Sequence, residues 1–286
     1  MTTGRALLGW SIAVLLATGC LRLLVPIPPL ILLAALVPAA CYAALIVLVD
    51  RRPQPPAVFL TMLLWGAVVA APLSATLNGV AQHWLVSATA AAWVSPLLAA
   101  PAIEELVKAA GFLALLLIWR NQFTGVLDGI VYGALIGIGF TVTENIDYFM
   151  LAALQGGEPG LARSVYLCAV LEGLNHASFA AFTGAGVGYA WTARSMRGRI
   201  GAPLTGLSAA ILQHALWNAV AAQRINSILC NPTIPSGPCT SAPPATGLFI
   251  EVPLVIVACI GPGAVIVSVF AVAAHRRRVT KVGGCH

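Results

Sequence analysis

Pro101-Ala-Ile-Glu104-Glu105-Leu-Val-Lys108 interrupts an apolar run, from about residue 85 to 119, that is otherwise long enough to cross a bilayer. Ionisable groups at that depth cost roughly 2.5–3.5 kcal/mol each on insertion scales. Chains carry them where the charges face a protein interior, pair with one another, or bind a metal or a proton. On a helix Glu104 and Lys108 stand one turn apart, and Glu105 lies three residues before Lys108. One lysine can neutralise one glutamate and leave the other available. Taken alone, the stretch reads equally well as a buried ion pair that pins helix packing. The test is whether other helices bring matching groups to the same depth.

Of the 286 residues, 59% are hydrophobic and 8% are charged. Soluble domains carry about 25% charged residues. The expected fold class is therefore all-α: a polytopic membrane protein of about eight transmembrane helices, with a polar site inside the bundle. No polar block is long enough to be a soluble domain. Residues 1–286 read as one integral membrane domain, with a functional core at about 86–222 and spans one to three and eight peripheral. The net charge of +6 sits in short clusters between apolar runs. It lacks the aromatic-basic interleaving of nucleic-acid binders, which excludes nucleic acid as the partner and leaves the lipid bilayer.

Runs of about 20 apolar residues place spans at roughly 6–25, 30–49, 57–77, 86–119, 126–153, 164–192, 201–222 and 247–274. The third leads into a polar connection at 78–83, and the fourth has candidate breaks at Pro96 or Pro101. With both termini cytoplasmic, eleven basic residues (Arg5, Arg51, Arg52, Arg120, Arg194, Arg197, Arg199, Arg276, Arg277, Arg278 and Lys281) lie inside and three (Arg22, Arg163 and Arg224) outside. That bias favours this orientation in a bacterial-type plasma membrane. It also puts the Cys230–Cys239 loop outside, where a disulfide is expected. Gly125, Gly129, Gly133 and Gly137 recur every four residues on span five, and Gly184 and Gly188 repeat the interval on span six. Small residues so spaced let helices approach closely in lipid.

Depth then brings polar residues together. Span five carries Glu144 and Asn145, span six His176, and span seven His214 with Asn218 one turn on. Counted from the cytoplasmic ends at 1.5 Å per residue, these and Glu104 and Glu105 fall in one slab roughly 22–27 Å deep. A single intramembrane histidine is more often an interhelical hydrogen-bonder than a ligand. Four consecutive helices delivering carboxylates and imidazoles to one level are harder to assign to coincidence. Two imidazoles with one or two carboxylates suit Zn²⁺ with an open position for water, and a spare carboxylate suits a general base. Asn145 or Asn218 is placed to donate to an oxyanion.

Glu104-Glu105-x-x-Lys108, Phe140-x-x-x-Glu144-Asn145 with Tyr148, His176 with Phe179, and His214-x-x-x-Asn218 resemble, in order and on successive spans, the PrsW family of intramembrane proteases, in the superfamily of the CAAX prenyl endopeptidases. The resemblance covers roughly residues 100–220. It implies a metal-dependent endopeptidase acting on a membrane-tethered protein, with anti-sigma factors as the best-known bacterial substrate class. It also implies that the glutamate pair and the two histidines form the catalytic centre. Glu144, where the CAAX branch has histidine, and Lys108, where it has arginine, favour the PrsW branch.

The expected ligands of Zn²⁺ or another divalent metal are thus His176, His214 and one of Glu104 and Glu105. The other glutamate is base or partner of Lys108, and helix neighbours pointing about 100° apart leave both assignments open. Glu144 and Asn145 would ligate or orient, and Asn218 would orient or donate. The slab lies nearer the outer face, so scission is expected near the extracytoplasmic end of a substrate. Two alternatives remain at this level: a proton- or cation-coupled transporter, whose relays use the same residue types, and a non-catalytic scaffold of this fold.

Overall fold

In a computed structural model, residues 26–49, 54–89 and 94–229 are described. Spans one and eight, both termini, the basic clusters at 50–52 and 275–281, and the Cys230–Cys239 pairing lie outside them. Among the described residues every regular element is helical. They comprise α1 (Pro29–Val49), α2 (Pro56–Leu64), α3 (Ala71–Thr89), α4 (Ala100–Ile118), α5 (Val126–Ser164), α6 (Asn175–Thr192) and α7 (Met196–Leu229).

Three stretches among these residues are long and apolar enough to cross a membrane: Pro29–Leu48, Pro56–Leu85 and Val126–Thr192. Leu30, Leu33, Leu117, Ile118, Leu154, Leu204 and Leu212 point outward, each more than half exposed. Water would reject that much apolar surface; lipid accepts it. The chain is an integral membrane protein. The third stretch, at 67 residues, far exceeds the ~20 needed for one crossing, and it folds back on itself.

That hairpin is the centre of the molecule. Along α5 and α6 the glycine stripe meets its counterpart in strict antiparallel register: Gly125 against Gly188, Gly129 against Gly184, Gly133 against Ala180, and Gly137 against His176. Each step of four along one helix is matched by four back along the other. α7 continues the pattern on the far side, Ala202 facing Gly186 and Gly206 facing Phe182. On the near side Gly66 and Gly139 let the α2 segment settle on α5. Backbone-to-backbone contact at these points fixes the axial register of the helices, and so the level of every side chain they carry.

Gln155–Gly160, between the expected spans at 126–153 and 164–192, is helical except at Gly157 (φ 59°, ψ −151°). There the chain turns back, so that Gly160 meets Ala152. This backbone region is open to glycine and little else. Gly157→Ala is expected to lower stability by about 1–3 kcal/mol, whereas Gly156→Ala, facing open space, leaves it unchanged. Denaturant unfolding in mixed micelles checks the difference.

Among the described residues three π-helical turns interrupt the helices: Trp65–Ala70, Ser95–Ala99 and Val165–Leu171. A π-turn leaves a carbonyl short of its usual partner, and lipid offers none. In each case a side chain from a distant helix supplies the donor. The Thr143 hydroxyl donates to Ala67 O (2.8 Å), the Asn218 amide to Pro96 O (3.0 Å), and the Tyr42 hydroxyl to Val170 O (2.7 Å). The break expected at Pro96 or Pro101 is thus a π-turn that runs straight into α4; Pro101 has no N–H to give back along the helix, and the Pro96 carbonyl is left to Asn218. The polar connection expected at 78–83 is part of α3, which continues the α2 segment without a break in helical structure.

Candidate functional site

α4 turns Glu104, Glu105 and Lys108 inward, and all three are buried, at 6%, 0% and 1% exposure. Their neighbours come from α5, α6 and α7, the three helices the glycine register sets in place. Gly137 packs on the backbone of His176, which draws the start of α6 against α5 beside Glu144. His214 comes from α7, whose neighbouring Gln213 exchanges hydrogen bonds with Ser178 of α6. The two imidazoles end 5.0 Å apart, ring planes at 87°. Phe140 and Phe179 wall them in: Phe179 stacks on His214 at 4.7 Å, and Phe140 lies 4.9 Å from His176.

Lys108 is the electrostatic hub. Its ammonium donates to Glu105 Oε1 (2.7 Å) and His176 Nδ1 (2.8 Å) and lies over the Phe140 ring, 3.9 Å from its centroid. At 3.9 Å from Glu104 Oε2 it is too far for a hydrogen bond. An ammonium can only donate, so His176 Nδ1 accepts and the ring proton lies on Nε2, donated to Glu144 Oε2 at 2.6 Å. Glu105 Oε1, a carboxylate acceptor, also accepts a hydrogen bond from His214 Nδ1–H at 3.0 Å. That leaves the lone pair of His214 on Nε2.

Glu104 Oε2 lies 3.7 Å from that nitrogen. Two acceptors face each other here, and Glu104 Oε2 is buried without a hydrogen-bond partner. Such a gap is stable only if something positive or proton-bearing occupies it. Ligand atoms about 2.1 Å from a tetrahedral zinc stand about 3.4 Å apart, close to the distance found. Glu104, His176 and His214 each present a ligand atom within 4.8 Å of the others. One hard carboxylate with two imidazoles is a donor set for a divalent metal, and the site fits one. His176 joins such a set by exchanging one of its two present hydrogen bonds.

Of the residues singled out from the sequence, Glu104, Glu105, Lys108, Glu144, His176 and His214 form one contiguous cluster. Within it Glu105 turns Oε1 to Lys108 and His214, its Oε2 is buried without a hydrogen-bond partner, and it is not among the three residues that converge on one point. Asn145 is buried on α5 beside Glu144. Asn218 does not turn to His214; it braces the π-turn that opens into α4. Tyr148, half exposed, donates to Glu144 Oε1 at 3.4 Å and marks the open side of the cluster.

Asn78 was not anticipated. Its amide donates to Glu104 Oε1 at 3.0 Å. The signal was present in the inward stripe Ser74, Asn78, Ala81 and Leu85, spaced as one helix face, but Gly79, Gln82 and His83 made the segment read as a connection.

The profile of the family described as "PrsW family intramembrane metalloprotease" matches residues 54–258. Protease PrsW of Geobacillus kaustophilus (strain HTA426) is 29% identical over 136 residues, which cover 47% of this chain and 55% of that protein. The chain thus spans about half the length of the curated relative it matches. No solved structure matches it. The matched region contains every residue of the cluster, and with nearly three-quarters of the sequence inside it the chain belongs to the PrsW family of intramembrane metalloproteases.

Proposed function

We propose that the protein is an intramembrane endopeptidase that hydrolyses a peptide bond in a membrane-tethered protein, using a divalent metal, with zinc the favoured ion. The observation that carries this reading is the pair of facing acceptors, Glu104 Oε2 and His214 Nε2, with His176 brought to the same point. Glu104, His176 and His214 would hold the ion. Bound there, it would supply Lewis acidity to a carbonyl and to water.

The chain's own residues do the rest. Glu105 fixes the His214 ring by its Nδ1 proton, the usual second partner of a metal-binding imidazole. Lys108 engages Glu105 Oε1 at 2.7 Å, which keeps that oxygen from the reacting groups. Glu144 is the carboxylate with access to the outside, its side chain 23% exposed. It takes a proton from water and returns it to the leaving amine. Asn145, next to Glu144, is the nearer candidate donor to the developing oxyanion, since Asn218 is committed to Pro96.

The finer reading adds an anti-sigma-factor-like substrate cut near its extracytoplasmic end. Its support is the depth of the polar slab along the sequence and the family to which the chain belongs. Purified protein in bilayers with a single-span tethered substrate tests the activity. Cleavage is expected to stop with a chelator and return with Zn²⁺, and near-stoichiometric zinc is expected to vanish in a His176→Ala/His214→Ala double variant. Cleavage untouched by chelation would remove the metal from the mechanism, and fragments cut at the cytoplasmic end would reverse the orientation.

A further inference from the structure

The Glu104 carboxylate lies between two competing donors. On one side is the amide of Asn78, bonded to Oε1 at 3.0 Å. On the other is the ammonium of Lys108, 3.9 Å from Oε2. An ammonium has three N–H groups; in Lys108 one goes to Glu105 and one to His176. The third has the strongest claim on the next carboxylate along its own helix, one turn away. If Glu104 closed on it, Oε2 would be spent in an ion pair and would leave His214 Nε2. The terminal torsion of a glutamate is broad and offers little resistance to that swing.

We infer that Asn78 is a positioning residue for Glu104: by capturing Oε1 it withholds the carboxylate from Lys108 and keeps Oε2 turned to His214. A charge-assisted amide–carboxylate bond in a site walled from water is strong enough for this task. The placement of Asn78 supports a specific role. It sits on the inward face of α3, between outward-facing Leu77 and Gly79, in a candidate membrane span. An amide there is costly unless it is used. Its own Oδ1 is buried without a hydrogen-bond partner, so the side chain is held by the single bond it donates to Glu104 rather than by a network of its own.

This deepens the endopeptidase reading and rests on it only for turnover. The test compares Asn78→Leu, which removes the donor but suits a bilayer-embedded helix, with Asn78→Gln, which keeps an amide. Three readouts are taken on purified protein in bilayers: kcat and KM on a tethered substrate, Co²⁺ binding by absorption, and the infrared carboxyl band of Glu104, identified by its loss in Glu104→Gln. Asn78→Leu is expected to lower kcat and Co²⁺ affinity by about 10–100-fold, leave KM within about threefold, and shift the Glu104 band. Asn78→Gln is expected to recover most of the turnover and to move the band back. Wild-type kcat and an unmoved band in Asn78→Leu would overturn the inference. So would Asn78→Gln failing to restore either, which would reduce Asn78 to helix packing. The band needs neither substrate nor metal, so a protein that cleaves nothing still decides the question of Asn78.

Discussion

Glu104→Gln is expected to cut turnover by more than the roughly 10–100-fold that loss of a residue supporting a metal ligand costs, while leaving the protein at least as stable as before. Glutamine keeps the volume and can present its amide oxygen to Asn78, as Glu104 Oε1 does now. Its NH₂ then faces the His214 Nε2 lone pair across the gap now spanned at 3.7 Å and donates to it. The substitution turns two opposed acceptors into a donor–acceptor pair, which relieves the buried oxygen and closes the place meant for a cation. Glu105→Gln should behave in the opposite way on stability. Lys108, 1% exposed and bonded to Glu105 at 2.7 Å, loses its nearest charge partner and keeps only Glu104 at 3.9 Å; removing one partner of a buried pair costs up to about 3–5 kcal/mol. Cleavage assays together with denaturant titration of both variants separate the two glutamates. Should Glu104→Gln prove the unstable one and Glu105→Gln stay folded and inert, the roles assigned here are exchanged.

Gly137→Ala is the second large effect, and it acts with no change in polarity. A methyl group there would overlap the carbonyl of His176 and the following amide nitrogen. Both are backbone, so neither can rotate away, and α5 and α6 must separate. His176 rides on that contact, with Glu144 only 2.6 Å from its Nε2. A displacement near 1 Å at reacting groups costs about 10²-fold in rate, and the lost helix contact adds overpacking strain of about 1–3 kcal/mol. Gly201→Ala, on α7 with nothing nearby, is the matched control and should retain wild-type cleavage and stability. A fully active Gly137→Ala protein would show that the hairpin register does not set the site.

Several features were legible because bilayer physics leaves few alternatives. The scarcity of charge and the ~20-residue apolar runs dictate membrane helices. The four-residue glycine interval dictates a close helix pair. The shared depth of Glu104, Glu105, Glu144, His176 and His214 follows from counting residues along helices of fixed rise, and these side chains do meet. Counting gives level, however, and not bearing. It left the two glutamates interchangeable, whereas the bundle turns Glu105 Oε1 to Lys108 and His214 and brings Glu104, not Glu105, together with both histidines. It placed Asn218 under His214 by one-turn spacing, whereas a carbonyl freed by a π-turn on another helix claims it.

By itself, then, the sequence determined that this is a helical membrane protein whose acids and imidazoles converge at one depth, because hydropathy and helical rise are local properties read one segment at a time. Only the tertiary structure decided which oxygen of which glutamate faces which nitrogen, and that Asn78 belongs to the site. Those are azimuthal relations between helices far apart in the chain. They are set by where glycine lets backbones touch and by which distant donor reaches each open carbonyl or carboxylate oxygen.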